Sequence, residues 1–413
     1  MTEQSKKRKI WQFPWGYRES FLIAIALMLV GFMLEFAAGG SIVKLPSYPI
    51  NLFVLLVFVL YLVATHFFVK NPVMTWFSSV PAAMAAMTTF TFLILLMGFI
   101  PQGSPSGYAD KFGLNHIHTS RPYIIVAVFM LTILGYTIIP KLKKKISFKN
   151  VAFLLNHAGL FIIITAASIG SSDMMRLRMP VMEGETTSYA YPDERHRAEM
   201  PFSITLHSFK IEEYPPEMIL FNASSGVPEI KKGGKLPFIK EGKKGTIQNY
   251  EFEIISFIPY AVPVGEGYVS TEQYGSTHAA LVRITKGNYQ VEEWISCGNF
   301  MYPQKHAKLD SGFMLGMLEP KVQRYVSKVD IGANGSILKK NAEISVNQPL
   351  KQGQWQIYQF SYSDQLGRWS EMSVFEVIRD PWLPVVYTGI FMVLLGSIYL
   401  LWTGRKIEKS IKK

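Results

Sequence analysis

The chain has 413 residues, 49% of them hydrophobic, and a formal net charge of +12. A surplus of lysine and arginine of this size invites a nucleic-acid reading, but its distribution argues against one. Residues 171–380 carry 23 basic and 25 acidic side chains, whereas the rest of the chain carries 19 and 5. The surplus belongs to the apolar parts of the sequence, where it reads as membrane topology.

Six segments are long and apolar enough to cross a bilayer core of about 30 Å, which takes about 20 helical residues. They run over 20–38, 50–69, 82–101, 122–140, 151–170 and 383–402. Outside them lie Lys6, Lys7, Arg8, Lys9 and Arg18, then Lys70, then Lys141, Lys143, Lys144, Lys145 and Lys149, then Arg405, Lys406, Lys409, Lys412 and Lys413. With the N-terminus in the cytoplasm all of these stay inside, and only Lys44, Lys111 and Arg121 fall outside. The expected fold class is a polytopic α-helical membrane protein with six transmembrane helices and a large extracytoplasmic, mainly-β domain. The basic edges would also meet anionic inner-leaflet lipid. The first apolar run follows the aromatic stretch Trp11–Tyr17 and lacks a small-residue cleavage site, so it is expected to stay as a helix rather than be removed as a signal peptide.

In chain order, residues 1–19 form a basic cytoplasmic N-terminus and 20–81 hold two helices joined by a loop with Pro46 and Pro49. Glu35 stands at the outer end of the first helix, where it is expected to snorkel to the interface. His66 stands near the inner end of the second, as a haem ligand or as an interfacial side chain. Residues 82–170 carry three further helices. The first of these stops at Gly98-Phe99-Ile100-Pro101-Gln102, and the outer loop 102–121 carries His116 and His118. Flanking Ile117, those two could share a metal only on extended backbone. They read as solvated histidines, or as ligands for a haem leaving the membrane.

His157 carries the most weight. It lies about seven residues into the fifth helix, some 10 Å deep at 1.5 Å per residue. An ionisable group at that depth is costly and usually faces the protein interior with a definite partner. Ala158 and Gly159 beside it allow close approach of another helix or of a flat ligand. A neutral imidazole is a common ligand of haem iron. His66, at similar depth, could bind the same iron from the other side. The plainer reading is a histidine hydrogen-bonded to a neighbouring helix.

Residues 171–380 have β texture: 201–211 and 251–258 alternate apolar and polar positions, and 250–257, 280–284 and 354–362 are further strands. Short antiparallel strands predict a sandwich or an open, barrel-like domain, with Lys231–Lys244 as an exposed hairpin or loop. Cys297, the only cysteine, has no partner in the chain, which excludes a dithiol redox role. His196, His207, His278 and His306 have no metal-ligand spacing. There is no Gly-x-Ser-x-Gly, phosphate-binding glycine loop, His-Glu-x-x-His or Cys-x-x-Cys-His. Residues 381–413 supply the last helix and a basic cytoplasmic tail.

Several short stretches occur in a telling order. Ile100-Pro101-Gln102 closes a helix; then come Asn156-His157-Ala158-Gly159-Leu160, Gly170 and Glu183-Gly184-Glu185. Pro201-Phe202 opens a strand that ends Phe209-Lys210-Ile211-Glu212-Glu213-Tyr214-Pro215. Asn347-Gln348-Pro349-Leu350 precedes Ile357-Tyr358-Gln359, and Asp380-Pro381-Trp382-Leu383-Pro384 with Gly389 enters the last helix. From about residue 82 to 403 the chain resembles the ResB (CcsB) family of System II cytochrome c biogenesis.

The resemblance implies that the chain, with a CcsA-type partner, exports haem b as non-covalent cargo. It implies that the pair supports covalent attachment of that haem to apocytochrome c, with this chain as part of a haem lyase complex and not active alone. It implies a bacterial cytoplasmic membrane with 171–380 periplasmic, and it aligns the family's transmembrane histidine with His157, making that residue a ligand to the haem iron. No family motif covers His66, His116 or His118. The chain departs from the family in its first two helices, and its eight tryptophans form no haem-handling cluster, so the partner must supply the external haem platform. Two other readings stay open: a membrane scaffold that presents apocytochrome to a partner holding all the haem, and a b-haem electron-transfer subunit using His66 and His157.

Overall fold

A computed structural model describes residues 11–103, 107–144, 147–192, 196–229, 235–309 and 312–411. The chain divides into two compact units, one running to Met175 and resuming at Arg379, the other spanning Arg176–Ile378.

The first unit is helical. Its elements are α1 (Tyr17–Ala37), α2 (Ile50–Phe68), α3 (Pro72–Phe77), α4 (Val80–Phe99), the single turn α5 (Tyr108–Lys111), a 3-10 turn at Leu114–Thr119, α6 (Arg121–Leu142), α7 (Phe148–Gly170) and α8 (Leu383–Ile411). Six of these, at the six expected places, are long and apolar enough to cross a membrane. Local chemistry sets several starts. Asn71, Ser79 and Ser147 each accept a hydrogen bond from a backbone N–H of the first turn of α3, α4 and α7. Proline stands in the first turn of α3 and α4, where no N–H is needed. The six-residue α3 was not expected from the sequence. It carries Trp76 into the core, where the indole N–H donates to Ser20 Oγ at 2.8 Å.

α6 is the central helix, packed by α1, α2, α4 and α7. The most extensive helix pairing is that of α7 with α8. A Cβ on Gly159 would fall 2.7 Å from the Gly389 carbonyl oxygen, and one on Gly389 would fall 2.8 Å from that of Gly159. Only glycine permits this approach. Asn156 adds a polar clasp by accepting from Ser397 Oγ at 2.9 Å.

The second unit is mainly β and holds two cores. In one, a sheet of strands Met175–Met182, Met372–Arg379, Trp355–Tyr362 and Leu350–Gln352 faces a second sheet, of Ser336–Ser345, Val322–Ala333, Ala198–Glu213 and Thr186–Ala190. Met179, Ile357 and Phe375 from the first sheet meet Ile204, Leu206 and Val329 from the second. In the other, Lys244–Ile247, Tyr250–Val264, Thr277–Lys286 and Tyr289–Ser296, with Gly267–Ser270 paired to the second of them, face Ala307–Lys308, Phe313–Met317 and Met218–Asn222. The predicted strands at 201–211, 250–258, 280–284 and 354–362 all form. The single sandwich or barrel expected from the sequence is replaced by two sandwiches, the second inserted between Glu213 and Val322 of the first. Those two residues are paired across neighbouring antiparallel strands, so the insertion leaves and rejoins its host at one point. Alternation along Ala198–Glu213 holds through Leu206; at His207 a bulge shifts the register, and Phe209 takes the next inward place. Of the predicted loop at 231–244, residues 231–234 lie outside the described residues, and Lys244 opens a strand.

Candidate functional site

α7 begins at Phe148, so His157 stands nine residues in, about 14 Å along the axis at 1.5 Å per residue. Leu160, Phe161 and Ile164 follow it at i+3, i+4 and i+7 and so share its face. They pack into the cluster formed by α1, α3, α4 and α6, around Ala24, Trp76, Ala85 and Met130. His157 therefore continues the inward stripe of α7. Its Nδ1 lies 2.8 Å from the Phe153 carbonyl oxygen, one turn back, and its ring stacks on Phe153 at 3.9 Å between centroids. A carbonyl can only accept, so Nδ1 carries a proton, and in a neutral imidazole the in-plane lone pair would be on Nε2. Among the described residues nothing hydrogen-bonds to Nε2. The small residue next to it serves another purpose: Gly159 is the seat of α8.

His66 stands at the far end of α2, with its ring 5.1 Å from Phe67 and 6.1 Å from Tyr136. Its neighbour Thr65 bonds the Tyr136 hydroxyl at 2.6 Å. α2 docks on α6 through Gly135 and Tyr136, whereas α7 docks through Tyr123 and Lys141. At about 100° per residue these faces lie on nearly opposite sides of α6. The structure does not bring His66 and His157 together, because α6 intervenes.

His116 and His118 sit on the 3-10 turn, not on extended backbone, and their rings go to different partners. His118 packs on Tyr123 at 5.0 Å. His116 Nδ1 is 2.6 Å from Asn115 Oδ1, and its Nε2 lies 3.6 Å from Glu35 Oε1. Glu35 corrects its own expectation. It does not snorkel; it is fully buried. Its Oε2 accepts from the Arg121 backbone N–H at 2.7 Å and from the Arg121 guanidinium at 3.2 Å. Arg121 also donates to the Ser41 carbonyl at 3.0 Å. Glu35 Oε1 and His116 Nε2, the pair at 3.6 Å, are both buried without a hydrogen bond, and a small closing movement would join them. A carboxylate at the end of an apolar run, with an arginine opening a later helix, was the readable hint of this knot.

A second polar joint lay outside the sequence reading. Asp173, just past α7, accepts from the Tyr48 backbone N–H, the Asn51 amide and the Trp382 indole N–H, each at 2.7 Å. It ties the starts of α2 and α8 to the end of α7. Desolvation pushes its carboxyl up, but these donors and Arg379 outweigh that and hold it below the ordinary aspartate range.

No protein-family model matches this chain, and no curated protein matches it. Among the described residues no three histidine, cysteine, aspartate or glutamate side chains are placed to hold a bare metal ion. His157 combines an Nδ1 held by the Phe153 carbonyl with a ring nitrogen that no protein group bonds; His116 also has an unpartnered Nε2, but that nitrogen is buried 3.6 Å from the Glu35 carboxylate. The His157 arrangement suits one in-plane bond to a metal already held in a macrocycle.

Proposed function

We propose that this chain is a multi-pass membrane protein that handles haem as cargo in cytochrome c maturation, together with a CcsA-type partner and apocytochrome c. Membrane insertion is supported by the side chains the helical unit leaves outside: Leu22, Leu29 and Met33 on α1, Phe53 and Leu60 on α2, Phe92 and Leu95 on α4, Leu394 and Ile398 on α8. In water each would forgo roughly 1.5–3 kcal/mol of burial, whereas hydrocarbon accepts them without cost. The clustering of lysine and arginine described above supports termini inside and residues 176–378 outside.

The observation that carries the haem reading is His157, whose Nδ1–H is held by the Phe153 carbonyl while Nε2 is left without a partner. Phe153 fixes the ring plane from one side. The chain's own contribution would be to present an imidazole through Nε2 and to prevent its rotation through the Phe153 carbonyl and ring. Haem iron taking Nε2 as an axial ligand would be retained at depth until the partner receives it. The electron-transfer reading has no comparable support, since His66 and His157 are separated by α6.

The test is a pyridine haemochrome spectrum of the chain co-purified with its partner, for wild type, His157→Ala and His66→Ala. A several-fold fall of the b-type signal in His157→Ala, accompanied by loss of c-type cytochrome and sparing His66→Ala, is the expected result. Full haem occupancy in His157→Ala would leave the cargo to the partner and make this chain a scaffold for apocytochrome.

A further inference from the structure

Where the end of α1 meets the start of α6, a chain of hydrogen bonds ends in two atoms that oppose each other. Asp110 accepts from the Asn115 amide nitrogen. A carboxylate can only accept, so this bond fixes the amide with its oxygen turned toward His116. That oxygen, Asn115 Oδ1, lies 2.6 Å from His116 Nδ1, which therefore donates and carries a proton. In the neutral imidazole the lone pair is then on Nε2, and Nε2 faces Glu35 Oε1 at 3.6 Å. The other carboxylate oxygen is taken by the Arg121 backbone N–H at 2.7 Å and the Arg121 guanidinium at 3.2 Å.

Two acceptors thus face one another with no donor between them, and among the described residues neither atom has another partner. Leaving buried acceptors unpaired is costly, yet the fold holds them in place. Gly113, at φ 67°, makes the room: a Cβ there would fall 2.9 Å from Glu35 Cγ. A Cβ on Gly40 would overlap the Asp110 carbonyl, so the loop before α6 is seated directly on the segment that follows α1. His116 leaves helical backbone, at φ −144° and ψ 46°, and its ring goes to Glu35 while that of His118 packs on Tyr123.

One donor would satisfy both atoms, and the charges favour a proton. Glu35 and Asp110 bring two negative charges and Arg121 one positive, so an imidazolium makes the group neutral. Of the other cations nearby, Lys111 lies over the Tyr108 ring and Lys44 is exposed. A metal ion fits less well, because only two ligand atoms are free and Arg121 stands 3.2 Å from the same carboxylate. The His116 side chain keeps 15% of its surface exposed, which gives the medium access to the ring.

We propose that His116 and Glu35 form a proton-binding site that works as a latch between α1 and the loop before α6. A proton from the medium binds His116 Nε2. The imidazolium then donates to Glu35 Oε1, and the gap closes from 3.6 Å to about 2.8 Å, the length of a charge-assisted bond. Loss of the proton restores two facing lone pairs and lets residues 113–120 part from α1. The loop is clasped in acid and released as pH rises through the range in which imidazoles change charge, about pH 5 to about pH 8.

The experiment is hydrogen exchange by mass spectrometry on the full-length protein in detergent, at about pH 5 and about pH 8, corrected for the intrinsic pH dependence of exchange. In wild type the amides of residues 113–120 are expected to be about tenfold more protected in acid. Glu35→Gln offers Nε2 an amide donor while its oxygen still accepts from Arg121. That variant should therefore protect the loop at both pH values, at the acid wild-type level. His116→Phe should leave the loop at the unprotected level at both. Unchanged protection of Val126–Tyr136 in α6 reports that a variant is folded. The proposal is overturned if wild-type protection of the loop does not change with pH. It is also overturned if folded Glu35→Gln or folded His116→Phe keeps the wild-type pH dependence. Exchange is read without haem, so this proposal and the haem reading can each fail alone.

Discussion

The helical unit and the β unit treat charge in opposite ways. The helical unit turns apolar side chains outward and folds a carboxylate into its interior, Glu35, fully buried and held by Arg121. The β unit buries aliphatic side chains between sheets and, apart from Glu213 with His278 and Arg368, keeps its networks of ion pairs nearer the surface, as in Arg324 with Glu212 and Glu343, or Arg283 with Glu253 and Glu292. On the proposed membrane placement, the difference follows from what drives each unit to be compact. Sheets in water gain from every apolar contact. Helices in hydrocarbon gain little from burying one leucine against another, so close backbone approach and a few enclosed polar bonds must do more.

Four measurements would break or sharpen that contrast. The largest effect is expected at the α7–α8 contact. Gly159→Leu should abolish the monodisperse folded peak in detergent size exclusion, because its Cβ would meet the Gly389 carbonyl, whereas Gly98→Leu, with nothing within 4 Å, should leave it intact. Equal tolerance at both would show that close backbone approach does not hold the helices. Next, Glu35→Ala strands Arg121 beside a buried gap and should cost about 3–5 kcal/mol in a reversible unfolding assay; a loss under about 1 kcal/mol would mean that water reaches the knot.

Third, the depressed carboxyl of Asp173 gives a signed pH dependence. Its contribution is complete above the ordinary aspartate pKa and is lost as pH falls through the lower folded value. Wild type should therefore lose melting temperature on acidification, and Asp173→Asn should flatten that limb; identical acid limbs would remove Asp173 as a joint. Smallest is Ser327→Ala in the first sandwich. Ser327 donates to Gln359 Oε1 at 2.6 Å and lies 3.0 Å from Ser373 Oγ. The loss should be about 1 kcal/mol by denaturant titration.

What was legible in the sequence was whatever repeats locally. Long apolar runs placed six helices, five of them to within a few residues and the last with its end at 402 where the helix runs on to Ile411, and period-two alternation located strands such as Ala198–Glu213. The short α3 was within reach, since Asn71-Pro72 is a helix start, but six residues give too little periodicity to register. Contacts between distant residues left no such trace. Nothing in the neighbourhood of Glu213 shows that Val322 lies opposite it, so two sandwiches read as one. Glu35 near the end of an apolar run looks interfacial until Arg121 is placed beside it. His157 was visible because an imidazole inside an apolar run is conspicuous, but the bond that orients it depends on its rotamer.

The nesting of one sandwich inside the other imposes an order of assembly. The host sheet cannot close at Glu213–Val322 until the intervening segment has been made, whereas the inserted sandwich contains all its own strands by Met317. During synthesis, the inner layer can mature while three strands of its host are already waiting with open edges. Those edges, Ala198–Glu213 above all, are a window for capture by a chaperone or by a neighbouring copy. The pace at which residues 214–321 fold therefore sets how long the rest of the β unit stays vulnerable.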